Sequence, residues 1–130
     1  MYDAFFPEAI TQGIPPSENE ARRKWVKMLL DIGQNFLAVE EDAVIGHAAL
    51  LPDTVRKDGE YIIFVVRAHR REGVGSALTR TALEKARSMG LSNVWLTVES
   101  DNFKAIRLYK KFGFTFRDKG MGERTMMIEL

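Results

Sequence analysis

Apolar positions along the chain recur at two periods, every second residue in some stretches and every third or fourth in others, and the two periods divide it into elements. Ser17 with Glu20 three residues on forms a capping box. Trp25, Met28, Leu29 and Ile32 then recur at helical spacing and Gly33 supplies a stop, so a helix is expected from Ser17 to about Ile32. FLAVE (Phe36 to Glu40) and AVIGHAALL (Ala43 to Leu51) read as two strands of a hairpin around Glu41 and Asp42. The connection PDTVRKDG is rich in turn formers, and EYIIFVV (Glu60 to Val66) is a buried strand of β-branched and aromatic residues. Leu78, Ala82, Ala86 and Met89 mark one face of a helix that Gly90 ends. NVWLTVE (Asn93 to Glu99) is a further buried strand. Asn102 opens a helix with apolar positions Ala105, Ile106, Leu108, Tyr109 and Phe112, closed by Gly113. GFTFRD and RTMMIEL read as final strands around the turn KGMGE.

The order is therefore helix and hairpin, then strand, glycine turn, helix and strand, then helix and hairpin. The central βαβ unit demands parallel strands, because a helical crossover returns the chain in the same direction. The hairpins add antiparallel neighbours, so the expectation is an α/β domain with a mixed sheet. At 130 residues, 45% of them hydrophobic, residues 1–130 are expected to form a single domain with its own core.

Composition narrows the chemistry. There is no cysteine, which excludes disulfides and thiolate metal sites, and two histidines, His47 and His69, make no zinc site, so no metal is expected. No apolar run is long enough to span a membrane, and MYDAFFPEAI lacks the basic and long apolar segments of a secretory leader, so a cytoplasmic setting is expected. A net charge of +1 argues against bulk nucleic-acid binding.

Candidate chemistry starts at RREGVGSAL, Arg70 to Leu78. Gly73-Val74-Gly75 is a turn that frees the backbone to aim amides at one point, beside the N-terminus of the following helix. There the unpaired N–H groups and the helix dipole favour an anion, with Arg70 and Arg71 adding charge. A diphosphate fits the device, although a plain tight strand-to-helix turn fits the same residues. No Gly-Lys-Ser/Thr follows, so it is not a Walker loop. The third glycine of a dinucleotide fingerprint is missing too, although Glu99 ends the next strand where a ribose contact would fall.

A second motif follows in NFKAIRLYKKFGF: Asn102-x-x-Ala105-x-x-x-Tyr109-x-x-x-Gly113-Phe114. With Arg70-x-x-Gly73-x-Gly75 before it, the chain from about Phe36 to its end resembles the GNAT N-acetyltransferase family. That resemblance implies a mixed central sheet with two splayed parallel strands flanked by helices, and acetyl-CoA as acetyl donor to an amine. It implies that backbone groups of Val65, Val66 and Arg67 pair with the pantetheine arm. Amides of Arg71, Glu72, Gly73, Val74, Gly75 and Ser76 would hold the pyrophosphate, with Arg70 at the head of the motif. Asn102 would contact the arm, Ala105 would leave room for it, and Lys111, among Lys104, Arg107 and Lys110, would meet the ribose 3′-phosphate. Tyr109 resembles the family's general acid, placed to protonate the leaving sulfur; a core aromatic is its alternative. Glu60 stands at the distance where some members carry a base that works through water, with Glu99 in reserve, and a strand amide near Val66 would stabilise the oxyanion.

The chain also departs from that pattern. Arg67 stands where many members have proline. The family's first strand is apparently absent, since MYDAFF reads as the middle of the first family helix. FLAVE would then be a sheet edge, and a homodimer or a reshaped edge is expected. Trp25, Met28, Phe64, Trp95, Met126 and Met127 are expected in the core or lining the acceptor pocket. His47 is expected in the core or the cleft, and Tyr61, Phe5 and Phe6 at the acceptor site. The acceptor itself stays open among small amines, antibiotics, peptide N-termini, protein lysines and aminoacyl-tRNA. A non-catalytic acyl-CoA-binding module is the alternative function, and a nucleotide-binding domain a more distant one.

Overall fold

The structure, a computed structural model, describes residues 32–66 and 73–130. The expected helix from Ser17, the reading of MYDAFF and the six residues before Gly73 lie outside the described residues. Six strands and two helices follow in the order β1 (Gln34–Glu40), β2 (Ala43–Asp53), β3 (Asp58–Val65), α1 (Val74–Ser88), β4 (Asn93–Glu99), α2 (Phe103–Phe112), β5 (Thr115–Phe116) and β6 (Glu123–Glu129). They form one mixed sheet ordered β1-β2-β3-β4-β6-β5. The α/β expectation holds.

Local chemistry sets each turn. Between β1 and β2, Glu41 and Asp42 both take positive φ, 49° and 66°. That is the backbone of a two-residue hairpin turn, reached here without a glycine. Between β2 and β3, Asp53 Oδ1 accepts from the N–H groups of Val55 and Arg56 at 3.0 Å each, which folds the chain back on itself. Asn102 caps α2, its Oδ1 accepting from the Ala105 N–H at 3.4 Å, and Gly113 closes the helix at φ 103°. The segment GFTFRD yields only a two-residue strand, shorter than expected. Its first residue is the α2 cap, and Asp118 turns back to accept from the Thr125 N–H at 3.1 and 3.2 Å.

Alternation in the strands divides the core by face. Tyr61, Ile63 and Val65 of β3 point with Val94, Leu96 and Val98 of β4 towards the side where α1 and α2 pack. Ala105 and Tyr109 of α2, with Leu78, Ala82 and Ala86 of α1, complete that cluster. Ala49, Ile62 and Phe64 form a second buried cluster on the opposite face. Tyr61, expected at the acceptor site, belongs instead to the helix side: its hydroxyl shares a 2.9 Å hydrogen bond with Thr79 of α1, and both side chains are buried.

The one parallel contact among the described residues is short. β3 and β4 pair only from Asp58, Gly59 and Glu60 to Asn93, Val94 and Trp95. β3 continues to Val65 in register with β2, and β4 continues to Glu99 in register with β6. Each strand is thus held by its outer neighbour while the two part beyond Glu60 and Trp95, which is the splay that the resemblance implies.

The strained β1–β2 turn gives a stability test. Left-handed backbone at non-glycine residues costs roughly 1 kcal/mol each. Replacing Glu41→Asn together with Asp42→Gly is expected to raise stability by about 1 kcal/mol. Urea unfolding should show it as a higher midpoint at unchanged slope.

Candidate active site

Two features meet at the open end of the fork. The first is the N-terminus of α1. Gly73 is the N-cap residue with φ 77°, a left-handed backbone that glycine takes without strain. No side chain caps this end and no acidic residue occupies the first turn. Neither the cap nor the first turn therefore supplies an anion to the leading amides and the positive end of the helix dipole. Gly75 does not belong to the turn, as the motif suggested, but to α1 itself. A Cβ there would lie 3.2 Å from Leu108 Cδ2, so its smallness serves the close approach of α2.

That approach brings a cation to the helix end. Lys111 near the C-terminus of α2 donates from Nζ to Ser76 Oγ at 3.2 Å. Val74, Gly75, Ser76 and Lys111 are thus brought together with Gly73. Lys104, Arg107 and Lys110 are exposed along the same helix. Arg67, Arg70, Arg71 and Glu72 lie outside the described residues.

The second feature is the wall of the fork. The Val66 N–H donates to Ile45 O at 2.8 Å, so this amide faces β2. A strand amide near Val66 was the expected oxyanion donor; by the alternation of backbone groups along a strand, Ile63 and Val65, not Val66, turn their N–H and C=O groups towards the β4 side. On the other wall, Ser100 at the end of β4 is pinned to the β5–β6 turn. Its N–H donates to Gly122 O at 2.8 Å, and its Oγ accepts from the Gly122 N–H at 3.0 Å.

Ala105 and Tyr109, one turn apart on α2, are fully buried, and the Tyr109 ring meets Phe114 edge to face at 5.8 Å between centroids. Asn102 is half-buried and spends its Oδ1 on the cap. Glu60 is half-buried at the last paired position of β3, the vertex of the fork. Burial, and then the nearby charge of Glu123, push its carboxyl above the usual range. The contribution of Glu123 was not read from the sequence.

Phe64 and Met126 are buried, and Trp95 and Met127 half-buried. Trp25, Met28, Phe5 and Phe6 lie outside the described residues. His47 is buried, and its Nε2–H donates to Asn35 Oδ1 at 2.6 Å, which gives it a place in the structure. The described residues hold no group of three or more His, Asp or Glu able to bind a metal, and none of their helices is long and apolar enough to cross a membrane.

The chain belongs to the Acetyltransferase (GNAT) family, whose sequence pattern matches residues 1–114. A mycothiol acetyltransferase of Parafrankia sp. (strain EAN1pec) is 36% identical over 78 residues, 57% of this chain. The chain spans only 24% of that relative's length. An N-acetyltransferase from Staphylococcus aureus Mu50 superposes with a TM-score of 0.78 at 18% identity, covering 98% of this chain and 86% of its own. A GNAT superfamily phosphinothricin acetyltransferase from Sinorhizobium meliloti, solved in complex with AcCoA, gives 0.73 at 21%, covering 90% and 71%. At these identities the two structures speak for the fold.

Burial also sets a pH test. Desolvation lowers the His47 pKa from 6.5 to about 4. The unfolded chain therefore takes up this proton first on acidification, so stability falls as pH drops from about 6.5 to about 4 and is fully present above that window. His47→Gln, which keeps a donor towards Asn35, should lose less over the same window. The difference between the two melting temperatures across that range isolates this group from the carboxylates.

Proposed function

We propose that the protein is an N-acetyltransferase that moves an acetyl group from acetyl-CoA to an amine by direct attack in a ternary complex, and that residues 1–130 act as one domain. The observation that carries this reading is the fork between β3 and β4 opening beside an uncapped helix N-terminus with Lys111 at its edge. A diphosphate on a pantetheine arm is an anion on a narrow polar strand, and those two features match its two parts. The AcCoA bound to the phosphinothricin acetyltransferase supports acetyl-CoA as donor here. The acetyltransferase activity named for the mycothiol relative supports the reaction class.

In this reading the α1 amides from Gly73 to Ser76, with Arg71 and Glu72 before them, hold the pyrophosphate. Arg70 and Lys111 supply charge, Lys111 towards the 3′-phosphate. Val65 offers backbone groups at the strand edge to the arm, Arg67 is assigned to the arm as well, and Asn102 and Ala105 border it. The thioester supplies an activated acetyl carbon. The Val65 amide stabilises the oxyanion that forms when the amine attacks. Tyr109 gives its proton to the departing sulfur, and its burial keeps that step away from bulk water. Glu60 takes up the amine's proton through water, and burial beside Glu123 makes its carboxylate a stronger base than an exposed one.

The acceptor is an amine, small or borne on a peptide. We propose a cytoplasmic setting. We also propose a homodimer through β1, one of the two edge strands of the described sheet, where Leu37 and Val39 are 56% and 59% exposed.

Acetyl-CoA titrated by calorimetry should bind at one site per chain. Lys111→Ala is expected to weaken that binding by about fivefold, the effect of roughly 1 kcal/mol at an exposed charge. Tyr109→Phe should retain the affinity while thiol release with an amine falls by about 10²-fold. An acyl-CoA sensor would bind equally well and release no thiol in either form. Absence of acetyl-CoA binding would overturn the reading.

A further inference from the structure

The register of the fork bears on which carboxylate the incoming amine meets. Glu60 pairs with Trp95 at the vertex. Counting outwards equally on both walls brings Phe64 level with Glu99. Val65, whose backbone faces the opening, is one residue further. Glu60 itself lies five residues below Val65, about 16 Å along the strand. Glu99 therefore stands on the far wall at the height where the acetyl carbon would sit.

Alternation assigns the Glu99 side chain to the face of Trp95 and Thr97, away from α1 and α2. Both described helices pack on the other face, with the diphosphate-binding end of α1. An acceptor thus approaches from the Glu99 side. Glu99 is half-buried on a strand whose next residue, Ser100, is pinned at both N–H and Oγ. Its direct cross-strand partner is Glu123. Like charges in that arrangement repel, and among the described residues no ion pair to Glu60, Glu99 or Glu123 offsets it.

We propose that Glu99 is a catalytic residue that receives the acceptor's ammonium group, with Glu123 facing it as a second negative charge. The inference rests on the acetyltransferase reading above. The ammonium R–NH3+ gives one proton to the Glu99 carboxylate. The freed nitrogen forms the C–N bond to the acetyl carbon as the C–S bond breaks. The sulfur leaves with a proton as the free thiol, and the second amine proton passes to Glu60 through water. The net result is R–NH–CO–CH3, CoA thiol and one proton released. The like-charge pair favours acceptors bearing a second positive charge over zwitterions.

The test is thiol release from acetyl-CoA with 1,4-diaminobutane, a lysine-containing peptide and L-methionine sulfone, for the wild type, Glu99→Gln, Glu60→Gln and Glu123→Gln. Acetyl-CoA affinity is measured in parallel. Glu99→Gln is expected to lower kcat/KM by about 10²-fold with acetyl-CoA affinity unchanged within twofold. Glu123→Gln should raise KM for the diamine several-fold with kcat nearly unchanged, and this variant keeps the test open should Glu99→Gln fail to fold. The diamine should be the best of the three acceptors. Wild-type turnover that survives in both Glu99→Gln and Glu123→Gln overturns the proposal and leaves the acetyltransferase reading standing. A loss confined to Glu60→Gln does the same. If the wild type binds acetyl-CoA but turns over none of the amines, the proposal fails together with the enzyme reading.

Discussion

Everything in this fold hangs on a parallel strand pair that stops early. Three residues on each side hold β3 to β4, after which each strand follows its antiparallel neighbour. Antiparallel ladders satisfy one edge of each strand, so the two inner edges part without unravelling the sheet. The inner edges of the two strands turn backbone polar groups towards the fork, and buried backbone groups require partners. A ligand with an extended amide-bearing chain meets that requirement as a further strand would. The fork is thus a backbone device, and the side chains around it have only to place charge and protons.

Charge enters where the two helices converge. α1 begins at the open end of the fork because β3 must cross over to reach β4, and the crossover delivers a helix N-terminus there. α2 lies against the first turn of α1 because Gly75 lets Leu108 come within contact distance. The same approach lets Lys111 reach Ser76. A glycine at the second position of α1 is therefore tied to the delivery of a cation. Packing and electrostatics share one residue here.

The fold was largely legible in the sequence because its signals are local. β4 spans the expected NVWLTVE, and α2 runs from its Asn102 cap to Gly113 as its pattern requires. Both hairpins carry their turn chemistry within a few residues. The errors are long-range. Gly75 looked like part of a turn because its contact, Leu108, is 33 positions away in the chain. Tyr61 was expected at the acceptor site, but strand parity sets it under α1, facing Thr79. The sequence pointed to a strand amide near Val66 without fixing which one, and only the register with β2 shows that the Val66 amide itself goes to Ile45. Glu123 carried no motif at all, and its meeting with Glu99 comes from the β4–β6 register.

Parity also explains why opposite faces of one sheet do different work. On the helix face, side chains of β3 and β4 alternate into a dry cluster that includes Tyr109 and excludes charge. On the other face the same strands present Glu60, Trp95, Thr97 and Glu99, and β6 adds Glu123. A one-residue slip of β4 would exchange the two sets, burying carboxylates under α2 at a cost of several kcal/mol. The buried Val94, Leu96 and Val98 forbid that slip. The hydrophobic pattern that fixes the fold is therefore also what keeps the carboxylates on the face away from α1 and α2.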